Sequence, residues 1–394
     1  MLQRDYLIVG AGIAAGGAVE ALRSLDKKGS VTVVGNESLP PYAKPKLLPT
    51  LLAKTEPAPD KLLHLPASWY DKNKVEVRTD AIVAQLNTER RIAVLSTGQA
   101  IEFKKALLAM GSRPRRPQVA GANLGQVLYL RGVRDFRALR EIAATEKDIV
   151  VLGGGLIAME VVSALRQMKR PVTMMSRYAY LWQNRLDLET ATWLTDHFHA
   201  HGVNMLMQEA LNGFEGKTVL RNIQTKSGQR FPASLAVVAI GAEPNLDLVA
   251  NTPLSSPNGT PVNEFLETDE KGIFAAGDIA LYPDKIFGGV RRVEHYQCAL
   301  EQGRVAGTNI TGKKRVRFEH TPHYSTKVFD LQFDIVGDVS RPPSRCDILE
   351  GDRHKKKFIA QYFQGNHVVG MVLVNQDPKR VAAMCEAMRS KHAK

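Results

Sequence analysis

Two segments of the chain combine a short apolar run, a glycine-rich turn and a stretch with helical apolar spacing. In the first segment, residues 6–9 are apolar, residues 10–16 contain three glycines, and residues 18–25 repeat apolar positions at helical intervals. In the second, residues 149–152 are apolar and three glycines follow at residues 153–155. A continuous apolar run of this length is typical of a parallel strand buried on both faces. Each segment therefore predicts a strand, a tight turn and a helix.

A second strand-like run follows each predicted helix, at residues 31–34 and 172–175. Strand, helix and strand form a βαβ unit, and two such units in one chain predict two Rossmann-like nucleotide-binding domains. Beyond residue 312 the pattern changes again, and a small α+β domain is expected there. Its strand-like runs are residues 328–336, 357–363 and 368–374, and its helix lies near residues 378–389. The predicted fold class is therefore α/β, with two dinucleotide-binding domains and this C-terminal addition.

The two glycine turns have the composition of a pyrophosphate-binding site. Glycine lets the backbone approach the phosphates closely, and the positive end of the following helix dipole points at them. An alanine at the third glycine position still permits close packing of the helix on the strand. The candidate residues are Gly10, Gly12, Ala15 and Gly16 in the first unit, and Gly153, Gly155 and Ala158 in the second.

The residues after the second strand of each unit differ in charge. Glu37 follows this strand in the first unit, where a carboxylate accepts hydrogen bonds from ribose hydroxyls; the alternative is a surface turn residue. Ser176 and Arg177 occupy the matching place in the second unit, without an acid. Arg177 can pair there with a ribose 2′-phosphate, and the alternative is a solvated arginine. The pattern favours a 2′-phosphorylated dinucleotide on the second unit.

The composition of the 394 residues is that of an ordinary globular protein, with 44% hydrophobic and 24% charged residues. It excludes disordered, collagen-like and coiled-coil chains. The longest uncharged apolar run, residues 6–19, is shorter than the about 20 residues of a membrane-spanning helix, so we predict no membrane span and no cleavable leader. Cys298, Cys346 and Cys385 lie far apart, which favours free thiols in a reducing cytoplasm.

The net charge of +13 is the unusual feature of the composition. Residues 313–394 hold 16 Lys and Arg against nine Asp and Glu, so +7 of the excess lies in this part. Such a balance suits a nucleic acid, an anionic membrane or an acidic protein. The basic runs at residues 313–315 and 355–357 lack interleaved aromatic residues. We interpret them as solvated faces and expect no nucleic-acid partner.

Three histidines at residues 197, 199 and 201 bring a metal site into consideration. Only His197 and His201 have the spacing of one helix face, and Gly202 predicts a helix end directly after them. Histidines are favourable near a helix C-terminus because of the helix dipole. We therefore interpret them as solvated side chains and predict no metal.

Seven segments in consistent order resemble the two-dinucleotide-domain flavoproteins, the family that contains ferredoxin reductases, rubredoxin reductases and apoptosis-inducing factor. They are residues 10–17, 41–45, 109–114, 153–160, 239–245, 268–278 and 291–312. The resemblance implies a glutathione-reductase-like fold with FAD on the first βαβ unit and NAD(P)H, with NADPH favoured, on the second. The implied domains are FAD-binding at residues 1–115 and 245–312, NAD(P)-binding at residues 116–244 and C-terminal at residues 313–394.

The same resemblance implies roles for individual residues around FAD. Glu37 would bind the adenosine ribose, Val83 would offer its backbone to the adenine, and Asp278 would accept a hydrogen bond from the ribityl chain. Residues 294–296 would open a helix whose N-terminal dipole stabilises negative charge on reduced flavin. Besides the glycine turn, the implied FAD-binding set is Glu37, Lys44, Pro45, Val83, Ala109, Gly111, Gly277, Asp278, Glu294, His295 and Tyr296.

On the second unit, the resemblance implies NAD(P)H binding by Gly153, Gly155, Ala158, Ser176, Arg177 and Gly241. Glu160 matches the family's acid near the nicotinamide carboxamide and the flavin. We expect Glu160, Lys46 and His295 to be the catalytic residues.

Two departures from the family pattern affect these expectations. Pro49 stands where the family commonly has a lysine paired with the acid that matches Glu160. Either Lys46 or Lys44 replaces that lysine, or Glu160 is unpaired and tends towards its neutral form. The second departure is the absence of any cysteine before Cys298, which excludes disulfide reductases and cysteine-dependent peroxidases.

The expected function is that of an FAD-dependent NAD(P)H oxidoreductase. Its electrons would go to a small redox protein, such as an acidic iron–sulfur protein, or to a quinone-like acceptor. The alternative is a protein similar to apoptosis-inducing factor, in which a nucleotide-dependent charge-transfer state controls partner binding or oligomerisation. We expect a monomer or a homodimer.

Overall fold

The computed structural model describes residues 1–53, 58–339 and 342–392. The helices are α1 (Ile13–Leu25), α2 (Leu47–Leu52), α3 (Ala67–Lys72), α4 (Val133–Thr145), α5 (Leu156–Gln167), α6 (Leu188–Ala200), α7 (Tyr296–Asn309) and α8 (Pro378–His392). Short 3₁₀ turns cover Lys44–Lys46, Pro59–Lys61 and Asp247–Val249.

Twenty-five strands are present in the described residues. They are β1 (Leu2–Val9), β2 (Val31–Val34), β3 (Val75–Arg78), β4 (Val83–Asn87), β5 (Ile92–Leu95), β6 (Ala100–Leu108), β7 (Ser112–Pro114), β8 (Val127–Leu128), β9 (Ile149–Leu152), β10 (Val172–Ser176), β11 (Asn204–Met207), β12 (Leu211–Gly216) and β13 (Leu220–Thr225). The remaining strands are β14 (Arg230–Pro232), β15 (Leu235–Val238), β16 (Ala242–Pro244), β17 (Thr260–Pro261), β18 (Ile273–Ala275), β19 (Ala280–Pro283), β20 (Val290–Arg291), β21 (His323–Val328), β22 (Leu331–Gly337), β23 (Arg345–Asp352), β24 (Lys357–Gln364) and β25 (His367–Val374).

The chain folds into two compact units. Unit 1 consists of Met1–Pro45, Pro57–Arg113 and Glu243–Pro322, and unit 2 consists of Lys46–Glu56, Pro114–Ala242 and His323–Lys394. Unit 1 thus contains the first βαβ segment, and unit 2 contains the second together with the C-terminal strands. The domain boundaries given above stay a prediction.

A sheet in the order β3-β2-β1-β6-β5-β4 forms the centre of unit 1, and β18 also pairs with β6. Strands β1, β2, β3, β6 and β18 are parallel, with Ile8 opposite both Val33 and Leu107. The last four residues of β1 are buried, as the apolar run predicted. Helices α1 and α7 pack against one another. The strand, turn and helix expected at the start of the chain are all present.

Unit 2 contains a parallel sheet in the order β11-β10-β9-β15-β8, an antiparallel sheet of β12, β13 and β14, and an antiparallel sheet in the order β21-β22-β25-β24-β23. All four residues of β9 and all four of β15 are buried. Apolar residues of α5, α6 and the C-terminal sheet belong to one core, in which Trp193 meets Phe358 edge-on with ring centroids 5.6 Å apart. The C-terminal strands and the second βαβ unit therefore share a hydrophobic core.

Candidate dinucleotide and flavin sites

The first glycine turn brings the backbone into a conformation that only glycine adopts easily. Gly10 has a φ of +106°, and a Cβ there would lie 2.1 Å from the carbonyl oxygen of Ala109. Gly12 precedes α1 in an extended conformation, and a Cβ on it would meet nothing within 4 Å. Ala15 is fully buried, which fits close packing of the helix on the sheet. The turn leaves open space above the first turn of α1.

The second glycine turn repeats this geometry in unit 2. Gly153 has a φ of +129°, and a Cβ there would lie 2.2 Å from the carbonyl oxygen of Ala239. Gly155 precedes α5 in the same extended conformation as Gly12, again with nothing within 4 Å of an added Cβ. Ala158 is fully buried. Both helices thus begin with a glycine that has no side chain to cover the first N–H groups, and both turns fit a dinucleotide pyrophosphate.

Glu37 is held by two neighbours on the loop after β2. The Tyr42 hydroxyl donates a hydrogen bond to Glu37 Oε2, and Lys44 Nζ forms an ion pair with Glu37 Oε1 at 2.5 Å. Gly35 lies against the turn, since an added Cβ would be 2.3 Å from Ala11 Cβ. The structure therefore places the Glu37 carboxylate after β2, as the sequence predicted, and uses Lys44 to orient it.

Asp278 lies in unit 1 beside a serine that the sequence analysis did not single out. Ser112 Oγ donates a hydrogen bond of 2.6 Å to Asp278 Oδ2. Gly277, with a φ of +79°, donates its N–H to Gln302 Oε1 at 2.7 Å. Gln302 is fully buried, and no described residue accepts a hydrogen bond from its Nε2. An unsatisfied buried donor is costly, so this amide fits beside a polar ligand or a water.

The helix α7 begins directly after His295, whose backbone is extended. Glu294 is exposed and pairs with Arg292, and Tyr296 is the first helical residue. Helix α7 therefore begins within residues 294–296, the segment for which the resemblance implied a role in stabilising the reduced flavin. Cys298 in its first turn is fully buried, and burial strongly raises the pKa of this thiol. Cys298 is therefore a thiol packed in the core of unit 1.

The other flavin candidates lie in unit 1 at strand ends or in loops. Val83 opens β4 and is buried, and Ala109 follows β6 and donates its N–H to Val9 at 2.7 Å. Gly111 has a φ of +68°. Pro45 is exposed in a 3₁₀ turn. Their contacts to FAD stay predictions.

The end of β10 carries the residues that distinguish the two dinucleotide sites. Ser176 is buried against Gly154, because an added Cβ on that glycine would lie 2.9 Å from Ser176 Oγ. Arg177 is exposed and its guanidinium lies over the ring of Tyr178. The fold also brings an acid here that the sequence analysis missed, since Glu209 N–H donates to Ser176 O at 2.9 Å. Glu209 follows β11, and only strand pairing reveals this neighbour.

Gly241, the last nucleotide candidate, has a φ of +113° and open space around an added Cβ. It accepts a backbone hydrogen bond of 2.9 Å from Arg115. Its backbone is therefore accessible in unit 2, and its contact with a nucleotide stays a prediction.

Glu160 lies on the first turns of α5 and is hydrogen-bonded to the C-terminal sheet. Thr326 Oγ1, on β21, donates to Glu160 Oε1 at 2.5 Å. Burial raises the pKa of Glu160, and the hydrogen bond from Thr326 partly opposes this effect. The expected tendency of Glu160 towards its neutral form agrees with these surroundings. Nothing in the sequence indicated Thr326.

The loop with the proline departure forms a helix in unit 2. Pro49 is exposed on α2, and α2 packs against α4 and α5, the helix that carries Glu160. Leu51 of α2 belongs to the same core as α5. Lys46 is exposed at the N-terminus of α2. Its catalytic role, like that of His295, stays a prediction.

The expectation of solvated histidines was wrong for His197. Its side chain is 5% exposed and lies 2.8 Å from Asp330 Oδ1, and its ring stacks on Trp193. His201 is one-third exposed and stacks on Phe329 with ring centroids 4.0 Å apart. The error arose because the turn with Phe329 and Asp330 is brought to this helix end only by the tertiary fold.

No helix in the described residues has both the length and the apolarity that crossing a membrane requires.

Comparison with known proteins identifies the family. The model of the family described as pyridine nucleotide-disulphide oxidoreductase matches residues 4–303. Rubredoxin-NAD(+) reductase of Pseudomonas putida is 30% identical over 78% of this chain and 80% of its own length. Peroxisomal monodehydroascorbate reductase 4 of Arabidopsis thaliana is 28% identical over 98% of this chain and 83% of its own length.

Among solved structures, the covalent putidaredoxin reductase-putidaredoxin complex superposes with a TM-score of 0.91 and 26% identity, covering 98% of this chain and 93% of that chain. These findings confirm the recognised family, the fold class and the expected class of enzyme, an oxidoreductase that uses FAD and NAD(H). The chain belongs to the pyridine nucleotide-disulphide oxidoreductase family.

Proposed function

We propose that this protein takes a hydride from a nicotinamide nucleotide onto FAD and passes single electrons to a small acidic iron–sulfur protein. The observation that carries the proposal is the repeated glycine turn, in which Gly10 with Gly12 and Gly153 with Gly155 adopt the same geometry at two helix starts. Two such turns fit two dinucleotides in one chain. Bound FAD would accept two electrons from the nicotinamide nucleotide and release them one at a time.

The residues of unit 1 would bind and orient FAD. Backbone N–H groups at the start of α1 face the pyrophosphate, and Glu37 uses its remaining lone pairs for ribose hydroxyls while Tyr42 and Lys44 fix its position. Ser112 orients Asp278 as a hydrogen-bond acceptor. The N-terminal dipole of α7 favours negative charge near His295.

Glu160 would act on the nicotinamide side as a neutral group. Oε1 accepts the hydrogen bond from Thr326, so the proton of the neutral carboxyl lies on Oε2 and can be donated to a carboxamide oxygen. This arrangement positions the nucleotide without placing a buried negative charge beside it. The chemistry itself needs no side-chain nucleophile.

We propose NADPH as the preferred nucleotide because Arg177 follows β10 directly, is exposed, and carries a guanidinium that suits a 2′-phosphate. Glu209 contacts Ser176 through its backbone N–H, and its carboxylate accepts hydrogen bonds from Ser227 and from the N–H of Ala210. Rubredoxin-NAD(+) reductase of Pseudomonas putida, a relative, is named for NAD(+), which favours NADH. The Arg177→Ala variant separates these alternatives. We expect it to lower kcat/KM for NADPH about tenfold and to leave NADH nearly unchanged.

The electron acceptor is inferred from charge and from relatives that are named for rubredoxin or putidaredoxin. A net charge of +13 suits an acidic partner. The three cysteines are free, which agrees with the proposed cytoplasmic location.

The test is an anaerobic titration of the purified holoenzyme with NADH and with NADPH, followed by mixing with an acidic [2Fe–2S] ferredoxin. We expect rapid bleaching of the flavin absorbance, followed by reduction of the ferredoxin over many turnovers. Monodehydroascorbate radical and a quinone serve as competing acceptors. Slow bleaching to a long-lived reduced state, accompanied by a change in oligomeric state, would contradict the proposal and favour a nucleotide-controlled switch.

A further inference from the structure

The end of helix α6 and the turn between β21 and β22 bring three metal-ligating side chains together in unit 2. The ligand atoms of His197, His201 and Asp330 all lie within 4.8 Å of one another. Asp330 Oδ1 is 2.8 Å from His197 Nε2 and 3.8 Å from His201 Nε2. No role in the dinucleotide sites is assigned to these residues. We propose that they form a binding site for a zinc ion.

His197 Nε2 and Asp330 Oδ1 lie at the distance of an ion pair, 2.8 Å, and a shared metal ion would also bring these two atoms together. No residue in the described part of the chain forms an aligned hydrogen bond with His197 Nε2, although Asp330 Oδ1 lies only 2.8 Å away. The nitrogen is buried, so water does not satisfy it either. In a coordination sphere, each ligand atom points at the metal, and a neighbouring ligand lies beside the nitrogen axis. An ion on this axis would satisfy the buried nitrogen.

His201 is prepared as a ligand by the helix itself. Its Nδ1 is 2.8 Å from the backbone oxygen of His197. A carbonyl oxygen only accepts, so Nδ1 carries the proton and Nε2 presents its lone pair on the side of Asp330. A hydrogen bond from the second ring nitrogen to a carbonyl is the usual way in which proteins orient metal-bound histidines. Stacking on Phe329 further fixes the ring.

The distances suit zinc after small side-chain adjustments. Zinc bonds of about 2.0–2.2 Å in tetrahedral geometry place neighbouring ligand atoms roughly 3.3–3.6 Å apart. The two separations from Asp330 Oδ1, 2.8 and 3.8 Å, lie on either side of this range, and all three ligand atoms lie within 4.8 Å of one another. The side chain of Asp330 is 52% exposed, which gives the ion an entry path and leaves the fourth position to water.

Lys356 has two opposite effects on the binding of a cation at this site. Lys356 Nζ lies 2.8 Å from Asp330 Oδ2, so it orients the carboxylate and leaves Oδ1 for the ion. Its positive charge also weakens cation binding. Removing this charge should therefore strengthen the site.

Zinc at this position would tie α6 to the β21–β22 hairpin. The same hairpin carries Thr326, which donates to Glu160. The ion would therefore stabilise unit 2 and secure the hydrogen bond on Glu160 from a distance, without contacting substrate.

The test is calorimetric titration of chelator-treated holoenzyme with ZnCl₂, with Co²⁺ absorption as a report of tetrahedral nitrogen and oxygen ligands. We expect one ion per chain and a higher Tm with zinc. The His201→Gln and Asp330→Asn variants should each bind at least about tenfold more weakly, and Lys356→Met should bind more tightly. His199→Gln is the matched control, because His199 is exposed on the same helix.

Absence of one-to-one binding would overturn the proposal, as would equal affinities in the wild type and the His201→Gln and Asp330→Asn variants. Both ligand positions are partly exposed, and flavin absorbance with circular dichroism checks that each variant is folded.

Discussion

At the scale of single residues, the carboxyl of Glu160 is hydrogen-bonded to Thr326, which lies 166 positions further along the chain. Burial raises the pKa of its carboxyl, and the Thr326 hydroxyl is the donor that the structure places on it. Pro49, on a helix that packs against the helix of Glu160, stands where relatives with this fold are expected to have a lysine. Burial therefore raises the pKa of this acid, and one hydroxyl partly opposes the effect.

Pro49→Lys tests this view. A cation on α2 would favour the carboxylate form of Glu160 and lower its pKa. We expect the rate of flavin reduction by the nicotinamide nucleotide to fall severalfold, because the carboxylate form of Glu160 no longer donates a hydrogen bond to the carboxamide. Stopped-flow absorbance under anaerobic conditions measures this rate. Pro49→Ala is the control, since it removes the proline without adding a charge. Equal rates in the two variants would show that charge at this position is irrelevant.

At the scale of elements, helices α1 and α7 approach so closely that three glycines are required. A Cβ on Gly303 would lie 2.0 Å from the carbonyl oxygen of Ala14, and one on Gly307 would lie 2.2 Å from that of Ala18. Gly17 similarly faces the carbonyl oxygen of Leu300 at 2.6 Å. These contacts hold α7 against the first turns of α1, directly after the glycine turn at which the pyrophosphate of FAD is proposed to bind.

Whether Gly303→Ala raises or lowers the free energy of unfolding depends on this packing. In an isolated helix, alanine is about 1 kcal/mol more favourable than glycine. Here the added methyl group collides with backbone, and we expect the free energy of unfolding to fall by about 1–3 kcal/mol. Urea denaturation measures this change. Retention of bound FAD is followed in the same experiment. Gln297→Ala, at an exposed position of α7, should be nearly neutral, and a stabilised Gly303→Ala variant would refute the close packing.

The hairpin of β21 and β22 contains an ion pair that makes stability depend on pH. His323 Nε2 lies 3.2 Å from Asp334 Oδ1, and this partner, followed by Cys385, raises the pKa of His323 from 6.5 to about 9. The stabilisation is therefore complete below about pH 6.5 and is lost as the pH rises through about 9. After allowance for solvent at this half-buried site, we expect a loss of about 1 kcal/mol.

His323→Gln should remove that part of the pH dependence, measured by urea denaturation between pH 6 and pH 10. His354→Gln, at an exposed position of the same unit, should retain it. An unchanged slope in His323→Gln would assign the pH dependence to other groups.

At the scale of the whole molecule, the excess of positive charge is the property that bears on partners. The chain carries a net charge of +13, and residues 313–394 contribute +7 of it, with 16 Lys and Arg against nine Asp and Glu. Several of these groups are paired, as Lys356 with Asp330 and Arg353 with Asp187 and Glu189. Lys355 and Lys357 are exposed. Such groups act mainly on the rate of encounter with an acidic protein.

Reduction of an acidic ferredoxin should therefore slow as salt is added, because the Debye length falls from about 10 Å at 0.1 M to about 3 Å at 1 M. Lys355→Glu combined with Lys357→Glu should lower kcat/KM for the ferredoxin about tenfold at low salt. Lys27→Glu combined with Lys28→Glu makes the same charge change in unit 1. Equal effects of the two pairs would mean that the net charge, and not the C-terminal segment, steers the partner.

The sequence by itself determined the features that depend on local physics. The apolar runs at residues 6–9 and 149–152 became β1 and β9, since a strand buried on both faces needs continuous apolar residues. Gly10 and Gly153 have positive φ values and lie against backbone, so no other residue suits those turns. The family and the fold class followed from these segments in their order.

Only the tertiary structure decided which distant groups meet. Thr326 on Glu160, Gln302 on Gly277 and Asp330 beside His197 are neighbours across 166, 25 and 133 positions, and no periodicity marks them. The tertiary structure also joined the C-terminal strands to the core of unit 2. It buried His197, which local spacing had predicted to lie in solvent. Such contacts depend on how complete elements pack, because the free energy of a buried polar group is set by its partners in space.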